Sequence, residues 1–588
     1  MERTETLAGN RFIVFMRSTL GFRLIMLVSI LLALLTMILH NPLLRLPTTA
    51  QLGILSLIPP EYCLALILSF MLMVTNIGNE KRYYFFASMM LFTLLFISLE
   101  SFFLHNPVGT TDAYGHFLRG ANMEDYSNPI FSFDSGWYPN GYFGSFLFTK
   151  VMVELLGLEN TSTVPLISIF RVLVPLFFFG CMYFLFTKLM TLTKVRMLTI
   201  IMIMAIPYFQ FHYSPHTFGL IIMALMLYTI LVPTENPVKN YLIQILLFSF
   251  LMVTHGPSTL YIGIAYGVAA FLNYALKSTR QERKGLNVCL PVGTYLIVGA
   301  LLFNPIIFKI VSITFSGAGM LSITTMVPGD SFSLNNSLIM GLERLGGSYV
   351  LAEFIRLGVL GLFLLITLVG IFRIFKKRDF GGINIFILGG VVATGFFFAG
   401  SILYPSLNFG DRAFLYLGIG GILMGIYLLP VDFSERLRSF RKPDKRTMVS
   451  LLIIIILLSP TVGALAYHYN QGVYFTAPQN QERYVFISEH TEVAVVYSHW
   501  ENHGLVLNRR AFEVKVFDNL ETRILVDFDP NEPFLYPEGT FVVISESTEW
   551  FYSLEERTDE LQAIMDYCDQ EMNKVYSSPG NSVWYVDL

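Results

Sequence analysis

Charged residues are scarce in this chain. Asp, Glu, Lys and Arg make up 14% of its 588 residues, whereas 54% are hydrophobic. Soluble proteins carry charge on about 25% of their residues, so this composition argues against a soluble protein. Apolar runs of about 20 residues, the length that crosses a bilayer, recur between residues 21 and 466. The sequence therefore predicts a polytopic α-helical membrane protein.

A positive net charge and paired cysteines are lacking as well. The formal net charge is −3, which predicts no nucleic-acid partner. The four cysteines have a spacing that fits neither a metal site nor a disulfide framework. The first apolar block follows three arginines and has no small-residue cleavage site at its end. We therefore expect an uncleaved signal anchor at the N-terminus.

Apolar runs and polar breaks predict about 13 transmembrane helices. We place them at about 21–39, 57–77, 83–103, 164–187, 197–211, 217–233, 241–254, 258–276, 287–312, 351–374, 381–403, 413–430 and 447–466. Two long polar loops, 104–163 and 313–350, interrupt this transmembrane domain, which covers residues 1–466. Within the first loop, 142–156 predicts a helix lying on the membrane surface, with Lys150 and Glu154 four residues apart.

Residues 467–588 are polar enough to form a separate soluble domain. Runs rich in β-forming residues predict strands at 492–497, 512–517, 523–527, 540–545 and 582–586. Residues 554–572 predict one helix that is acidic at its start, as the helix dipole favours. This pattern predicts a small α+β domain of about a hundred residues.

Lys and Arg are distributed unevenly between the two sets of alternating loops. The set that includes the N-terminus holds 24 of the 32 Lys and Arg residues before residue 450. Because basic loops remain in the cytoplasm, we predict a cytoplasmic N-terminus in a cell membrane. Both long loops and the C-terminal domain are then extracytoplasmic.

The first long extracytoplasmic loop, 104–163, contains several residues that can carry chemistry. Asp112 is a candidate general base, with a helix N-cap as the alternative, and His116 follows four residues later. The adjacent Glu124 and Asp125 suit a divalent cation or two sugar hydroxyls, with a solvated loop as the alternative. Tyr138 belongs to an aromatic turn that stacks on sugar rings or anchors the loop among lipid headgroups.

Three histidines lie at turns between spans on the same side. His212 and His216 flank Pro215, which disfavours helix at Ser214, so the two do not share a regular helical face. His255 lies in a Thr-His-Gly-Pro-Ser turn. These rings can donate to a phosphate or sugar, or transfer protons. There are two alternatives: the three histidines bind a zinc ion, or their rings form hydrogen bonds to backbone carbonyls.

Two arginines are candidate anion-binding residues. Arg171 lies two turns inside the fourth span, where a guanidinium pairs with an anion or reaches the interface. Arg412 follows Asp411 at the start of the twelfth span, and its planar fork suits a phosphate. A local ion pair with Asp411 is the alternative for Arg412.

Two short segments resemble the GT-C glycosyltransferases, which are polytopic enzymes acting on the outer or lumenal membrane face. They are Thr111-Asp112-Ala113-Tyr114 and Trp137-Tyr138-Pro139-Asn140-Gly141. Family members carry an acidic residue in this loop and a Tyr-Pro-Pro-Gly-like turn after it, where Asn140 replaces the second proline. The layout of residues 80–466 is also similar to the family, and the His-Tyr-Ser-Pro-His turn to archaeal proteins of this class. The chain lacks the Trp-Trp-Asp motif of the oligosaccharyltransferases.

The resemblance implies inverting transfer of a hexose or pentose from a polyprenyl (dolichyl) phosphate carrier. The acceptor is a glycan, lipid or protein. Asp112 is then the catalytic base, and Arg412 the best match for the arginine that binds the lipid phosphate. The candidates for donor and acceptor binding are His116, Glu124, Asp125, Tyr138, Arg171, His212, His216, His255 and Arg412. No cofactor is implied, and a divalent cation stays open.

Three other functions stay open from the residues alone. They are a related polymerase or ligase of surface polysaccharide, a membrane transporter, and a scaffold with a receptor-like outer domain. Few charged residues lie inside the spans and no inverted repeat is visible, which disfavours the transporter.

Overall fold

The structure is a computed structural model. It describes residues 14–39, 58–103, 116–117, 120, 142–156, 164–204, 211, 213–232, 234–275, 286–303, 346–380, 382–403, 415–420, 493–498, 519–524, 540–545, 558–578 and 581–585. Its helices before residue 404 are α1 (Thr19–Leu39), α2 (Pro60–Thr75), α3 (Arg82–Phe103), α4 (Phe143–Leu155), α5 (Val164–Leu189), α6 (Leu192–Met204), α7 (Pro215–Leu231), α8 (Pro237–Thr254), α9 (Gly256–Ala275), α10 (Leu290–Phe303), α11 (Gly346–Lys377) and α12 (Ile383–Leu403).

Prolines mark the start of α2, α7 and α8. The fixed φ of proline suits the first helical turn, and its missing N–H needs no partner there. Before α7, Ser214 is extended, with φ −160° and ψ 158°, as expected for the residue preceding Pro215. At α8, the Asn236 side chain caps the helix by accepting the Lys239 backbone N–H at 3.0 Å.

Helices occupy the first eleven predicted spans, and residues 415–420 of the twelfth are helical as well. α6 begins at Leu192, before the predicted 197–211, because the polar start of this helix packs into the bundle through Arg196, which is buried. α4 matches the predicted helix at 142–156. Lys150 and Glu154, which are four residues apart in this helix, form an ion pair, with Lys150 Nζ 3.4 Å from Glu154 Oε1. Span 447–466 lies outside the described residues.

The outward faces of these helices are apolar. On α1, the exposed side chains Leu20, Leu24, Leu27 and Leu31 follow helical spacing. Among the described residues, α1, residues 169–189 of α5, and α8 are long and apolar enough to cross a membrane. Apolar side chains that face outward along whole helices are typical of proteins surrounded by lipid. The described part of the chain is therefore mostly helical, with the character of a membrane protein.

Glycines permit close packing in the half of the bundle around α9. Helix α12 crosses α9 where Gly389 faces the carbonyl of Ala265, and a Cβ at Gly389 would collide with that carbonyl. On the neighbouring α10, Gly293 lies against Ala270. Small residues of this kind let transmembrane helix backbones approach each other, because lipid supplies no hydrophobic force between helices.

Basic side chains hold together one end of the bundle. The Arg196 guanidinium, at the start of α6, donates through Nη1 to three carbonyl oxygens in the loop 76–79, at 2.5 to 2.8 Å. Arg17 Nε donates to the Thr75 carbonyl at 2.7 Å. These carbonyls lie at the C-terminus of α2, where the helix dipole favours cations. The bonds bring the segment before α1, the end of α2 and the start of α6 to the same end.

The C-terminal segment contains a mixed five-stranded sheet. Its strands are β1 (Val493–Ser498), β2 (Asn519–Ile524), β3 (Thr540–Ser545), β4 (Asn573–Ser578) and β5 (Asn581–Tyr585), in the order β2-β1-β3-β5-β4. β1 is parallel to β2 and β3, whereas β5 is antiparallel to β3 and β4. α13 (Thr558–Glu571) packs its apolar face on β3 and β5 through Ile564, Cys568 and Trp584.

The sequence predicted most of these C-terminal elements. β1, β3, β5 and α13 overlap predicted segments, and β2 shares residues 523–524 with its prediction. β4 was missed, because its sequence, Asn-Lys-Val-Tyr-Ser-Ser, follows directly on α13 without a turn signal. The predicted strand 512–517 lies outside the described residues.

Candidate functional site

His255 lies at the junction between α8 and α9. Its backbone N–H donates to the Leu251 carbonyl at 2.8 Å, and its ring Nδ1 accepts the Ser258 backbone N–H at 3.3 Å. His255 therefore ends one helix and caps the next. The Ser258 hydroxyl lies 2.8 Å from the same Nδ1. Because Nδ1 is an acceptor, the neutral ring carries its proton on Nε2, which is then a hydrogen-bond donor.

His216 lies directly against His255. It is the second residue of α7, and its ring centroid is 5.0 Å from that of His255 at an interplanar angle of 69°. Gly219, almost one turn further along α7, permits this approach, because a Cβ there would lie 2.7 Å from the His255 Cβ. Both rings are almost fully buried, with 2% and 1% of their residue surfaces exposed. The two histidine turns thus meet in one cluster.

Tyr142 connects the first long loop to the histidines. Its ring stacks on that of His255, with centroids 5.8 Å apart and an interplanar angle of 19°. Gly144, at the start of α4, lies against the Thr254 hydroxyl at the end of α8. Further along α4, the ring of Phe146 lies 6.3 Å from that of the buried His116. The start of α4 therefore places His116 and His255 at the same end of the bundle.

A buried hydrogen bond fixes α4 to the turn before α7. Thr149 Oγ1 lies 2.7 Å from the Tyr213 hydroxyl. The Tyr213 ring contacts Phe117 at a centroid distance of 5.5 Å. Gly120 lies so close to Thr149 that any side chain would collide with it. His116, Phe117 and Gly120 consequently lie between α4 and the turn that contains Tyr213.

Tyr416 reaches the cluster from the segment after α12. Its hydroxyl is 3.2 Å from Ser258 Oγ, which in turn contacts His255 Nδ1. Its ring stacks on Tyr261 at 4.2 Å with an interplanar angle of 8°. A chain of polar groups therefore runs from Tyr416 through Ser258 to His255.

Arg171 lies on α5 near the same end. It is 1% exposed, and the ring of its neighbour Phe170 contacts Tyr213 and Phe218 at 4.8 and 4.5 Å. Thirteen residues further along α5, Tyr183 contacts Phe85, close to Arg196 at the basic end. At 1.5 Å per residue, the two contacts lie about 20 Å apart along α5. The histidine cluster and the basic end are thus opposite ends of the bundle.

Four of the ten candidate residues lie in the described part of the chain, and they share this end: His116, Arg171, His216 and His255. The other six lie outside the described residues: Asp112, Glu124, Asp125, Tyr138, His212 and Arg412. Asp112, Tyr138 and Arg412 each precede a residue of this cluster by four positions.

Sequence reasoning missed four polar residues that organise the cluster: Tyr142, Tyr213, Ser258 and Tyr416. Ser258 had a detectable signal, because it follows His255 by three residues, the spacing at which a cap meets the backbone of its helix. Tyr416 had none, since its partners on α9 lie more than 150 positions away.

Among the described residues, no group of three or more His, Cys, Asp or Glu side chains could hold a metal ion. The described cysteines are free thiols. The proposed zinc set also includes His212, which lies outside that part of the chain, so its ligation stays a prediction. Comparison with known proteins gives no match, either to a family model or to a curated protein.

Proposed function

We propose that this protein is a glycosyltransferase of the GT-C type, which moves a sugar from a polyprenyl-phosphate carrier to an acceptor on the extracytoplasmic face. The observation that carries the proposal is the cluster of His116, His216 and His255 with the buried Arg171. These residues come from four separate segments of the chain, and buried histidines at the same end of the bundle as a buried arginine suit a phosphorylated sugar.

The distribution of charge supports an extracytoplasmic position for this cluster. Arg17, Lys81 and Arg196 belong to the opposite end, and basic ends remain in the cytoplasm. We therefore propose a cytoplasmic N-terminus and about 13 transmembrane helices in residues 1–466. Residues 467–588 then form an extracytoplasmic α+β domain.

Each step of the proposed reaction has a candidate residue. The acceptor hydroxyl oxygen attacks the anomeric carbon of the sugar and gives its proton to the Asp112 carboxylate. The bond from the anomeric carbon to the phosphate oxygen breaks, and the polyprenyl phosphate leaves with the electron pair. Arg412 and Arg171 stabilise the departing negative charge. The Nε2–H of His255 is a donor for a phosphate or sugar oxygen.

Chain connectivity supports the role of Asp112 and Arg412 near this cluster. Asp112 precedes His116 by four residues, and Arg412 precedes Tyr416 by four. Four extended residues span at most about 14 Å. Asp112 and Arg412 therefore both belong to segments that end at the cluster.

The test is sugar transfer by the purified protein in liposomes that contain polyprenyl-phosphate hexoses or pentoses. We expect Asp112→Asn to abolish transfer while retaining membrane insertion, and Arg412→Ala to weaken donor binding. Glu154→Gln is the matched control, because the Glu154 side chain is half exposed and forms an ion pair with Lys150 one turn away on the same helix. Full activity in the Asp112→Asn protein removes Asp112 from the role of base.

Two further measurements in the same assay separate the alternatives. Repeated additions to one acceptor would identify a polysaccharide polymerase, and transfer of a preassembled glycan a ligase. Loss of activity with a chelator, restored by a divalent cation, would assign the Glu124–Asp125 pair a metal. Release of sugar across the membrane without transfer would favour the transporter.

A further inference from the structure

The basic end of the bundle has more cationic side chains than carboxylates among the described residues. Arg196 is buried there, and Arg17 and Arg82 lie close enough to act electrostatically on it. Lys81 and Arg23 act in the same way on the hydroxyl of Tyr83. Four of these cations, all but Arg196, are exposed. Among the described residues at this end of α1, α2, α3 and α6 and of the loop between α2 and α3, one is a carboxylate, Glu80.

Arg17 and Lys81 have more N–H groups than their hydrogen bonds within the described residues use. Arg17 uses Nε for the Thr75 carbonyl, and its Nη2 lies over Gly78, which has no side chain to cover the guanidinium. Lys81 Nζ donates to the Thr19 hydroxyl at 2.8 Å and to the Tyr84 hydroxyl at 3.3 Å, which are two of the three bonds an ammonium can form. Several N–H groups can therefore converge on one anion between α1 and α3.

An apolar strip begins directly beside these cations. Leu20, next to Thr19, is 72% exposed, and Leu24, Leu27 and Leu31 continue the same face along α1. Tyr83, which is 59% exposed, lies where aromatic side chains meet lipid headgroups. The surface thus presents positive charge at its end and hydrocarbon along its length.

We propose that Arg17, Arg23, Lys81 and Arg82 form a binding site for the phosphate of an anionic phospholipid, whose acyl chain lies along the exposed leucines of α1. A free phosphate would match the cations alone, whereas a phospholipid matches both the cations and the leucine strip. Clusters of basic residues at the cytoplasmic boundary attract anionic headgroups in this way. The site is separate from the histidine cluster, and it does not depend on the proposed sugar transfer.

Lipid-dependent stabilisation of the full-length protein tests this site. The protein in neutral detergent is titrated with short-chain phosphatidylglycerol, with the matching phosphatidylcholine, and with inorganic phosphate, and the unfolding midpoint is measured. We expect phosphatidylglycerol to raise the midpoint, with little effect from the other two. The double variant Arg23→Gln/Arg82→Gln should bind phosphatidylglycerol at least about tenfold more weakly.

The matched control is Lys376→Gln/Lys377→Gln, which removes two exposed charges at the end of α11. It should bind phosphatidylglycerol as the unmodified protein does. An equal loss in both double variants would show unspecific attraction and overturn the proposal. Equal stabilisation by phosphatidylcholine would also overturn it, as would equal stabilisation by inorganic phosphate, which would indicate a site for a free anion.

Discussion

Replacing Gly219 with alanine tests whether the contact between α7 and His255 holds the histidine cluster together. The added Cβ would lie 2.7 Å from the His255 Cβ and 3.1 Å from its Cγ. Carbon atoms in contact prefer a separation of about 3.5–4.0 Å, so the two groups must separate by about 1 Å. His255 cannot move away freely, because its Cβ is attached to the backbone that joins α8 to α9.

We expect Gly219→Ala to reduce the free energy of unfolding by about 1–2 kcal/mol. Overpacking of a filled interior reduces it by about 1–3 kcal/mol, and the higher helix propensity of alanine offsets up to about 1 kcal/mol. Thermal unfolding of the purified protein in detergent, followed by loss of monodisperse protein, measures the difference. In the sugar-transfer assay, the rate per folded molecule should fall as well, because the rings of His216 and His255 no longer meet.

Gly395→Ala is the matched control, because a Cβ at Gly395 would meet no atom of the described residues within 4 Å and the residue lies on an exposed helical face. This variant should be at least as stable as the unmodified protein. If Gly219→Ala proves as stable as Gly395→Ala, the close contact between α7 and His255 does not exist as described, and the argument for the cluster loses its main support.

Two other predictions concern the basic end and the C-terminal sheet. Arg196→Gln should lower the free energy of unfolding by roughly 2–4 kcal/mol in the same thermal assay, because the charged donor to the loop 76–79 is lost. The control is Lys188→Gln, which removes an exposed charge and should leave the free energy of unfolding unchanged. Burial, with a smaller contribution from Asp569, raises the pKa of the Cys568 thiol to about 12. An unfolded thiol ionises near pH 8.5, so the stability of α13 and its sheet should fall as pH rises above about 9, by at most about 1.4 kcal/mol per pH unit. Hydrogen exchange of residues 558–585 measures this fall, and Cys568→Ala should reduce its slope; an unchanged slope would contradict the assignment.

Helix positions and the membrane character followed from local sequence. Proline at the first turn of α2, α7 and α8, and apolar runs of suitable length, locate these helices without any knowledge of their partners. The boundary of α6 did not follow, because Arg196 is polar in sequence but buried in the bundle. A hydropathy pattern assigns such a residue to solvent, whereas its three backbone carbonyl partners in the loop after α2 come from a distant part of the chain.

The candidate site was predicted in part. His216 and His255 were selected because each lies at a turn on the side poor in basic residues, and the structure brings their rings together. Tyr142 and Tyr416 were not predicted as site residues, because a tyrosine beside a helix end has no distinctive sequence pattern. Their importance depends on which helix end lies next to which.

The sequence alone determined that this protein is helical, apolar and asymmetric in charge, because composition, periodicity and proline positions act over a few residues. The tertiary structure alone decided that His116, Arg171, His216 and His255 share one end of the bundle, and that Arg17 and Arg196 share the other. Those associations arise from contacts such as Gly219 against His255 and Gly389 against Ala265. Glycine has no side chain, so it lets a neighbouring helix approach closely at these positions. The local sequence pattern does not predict which distant segments pair in this way.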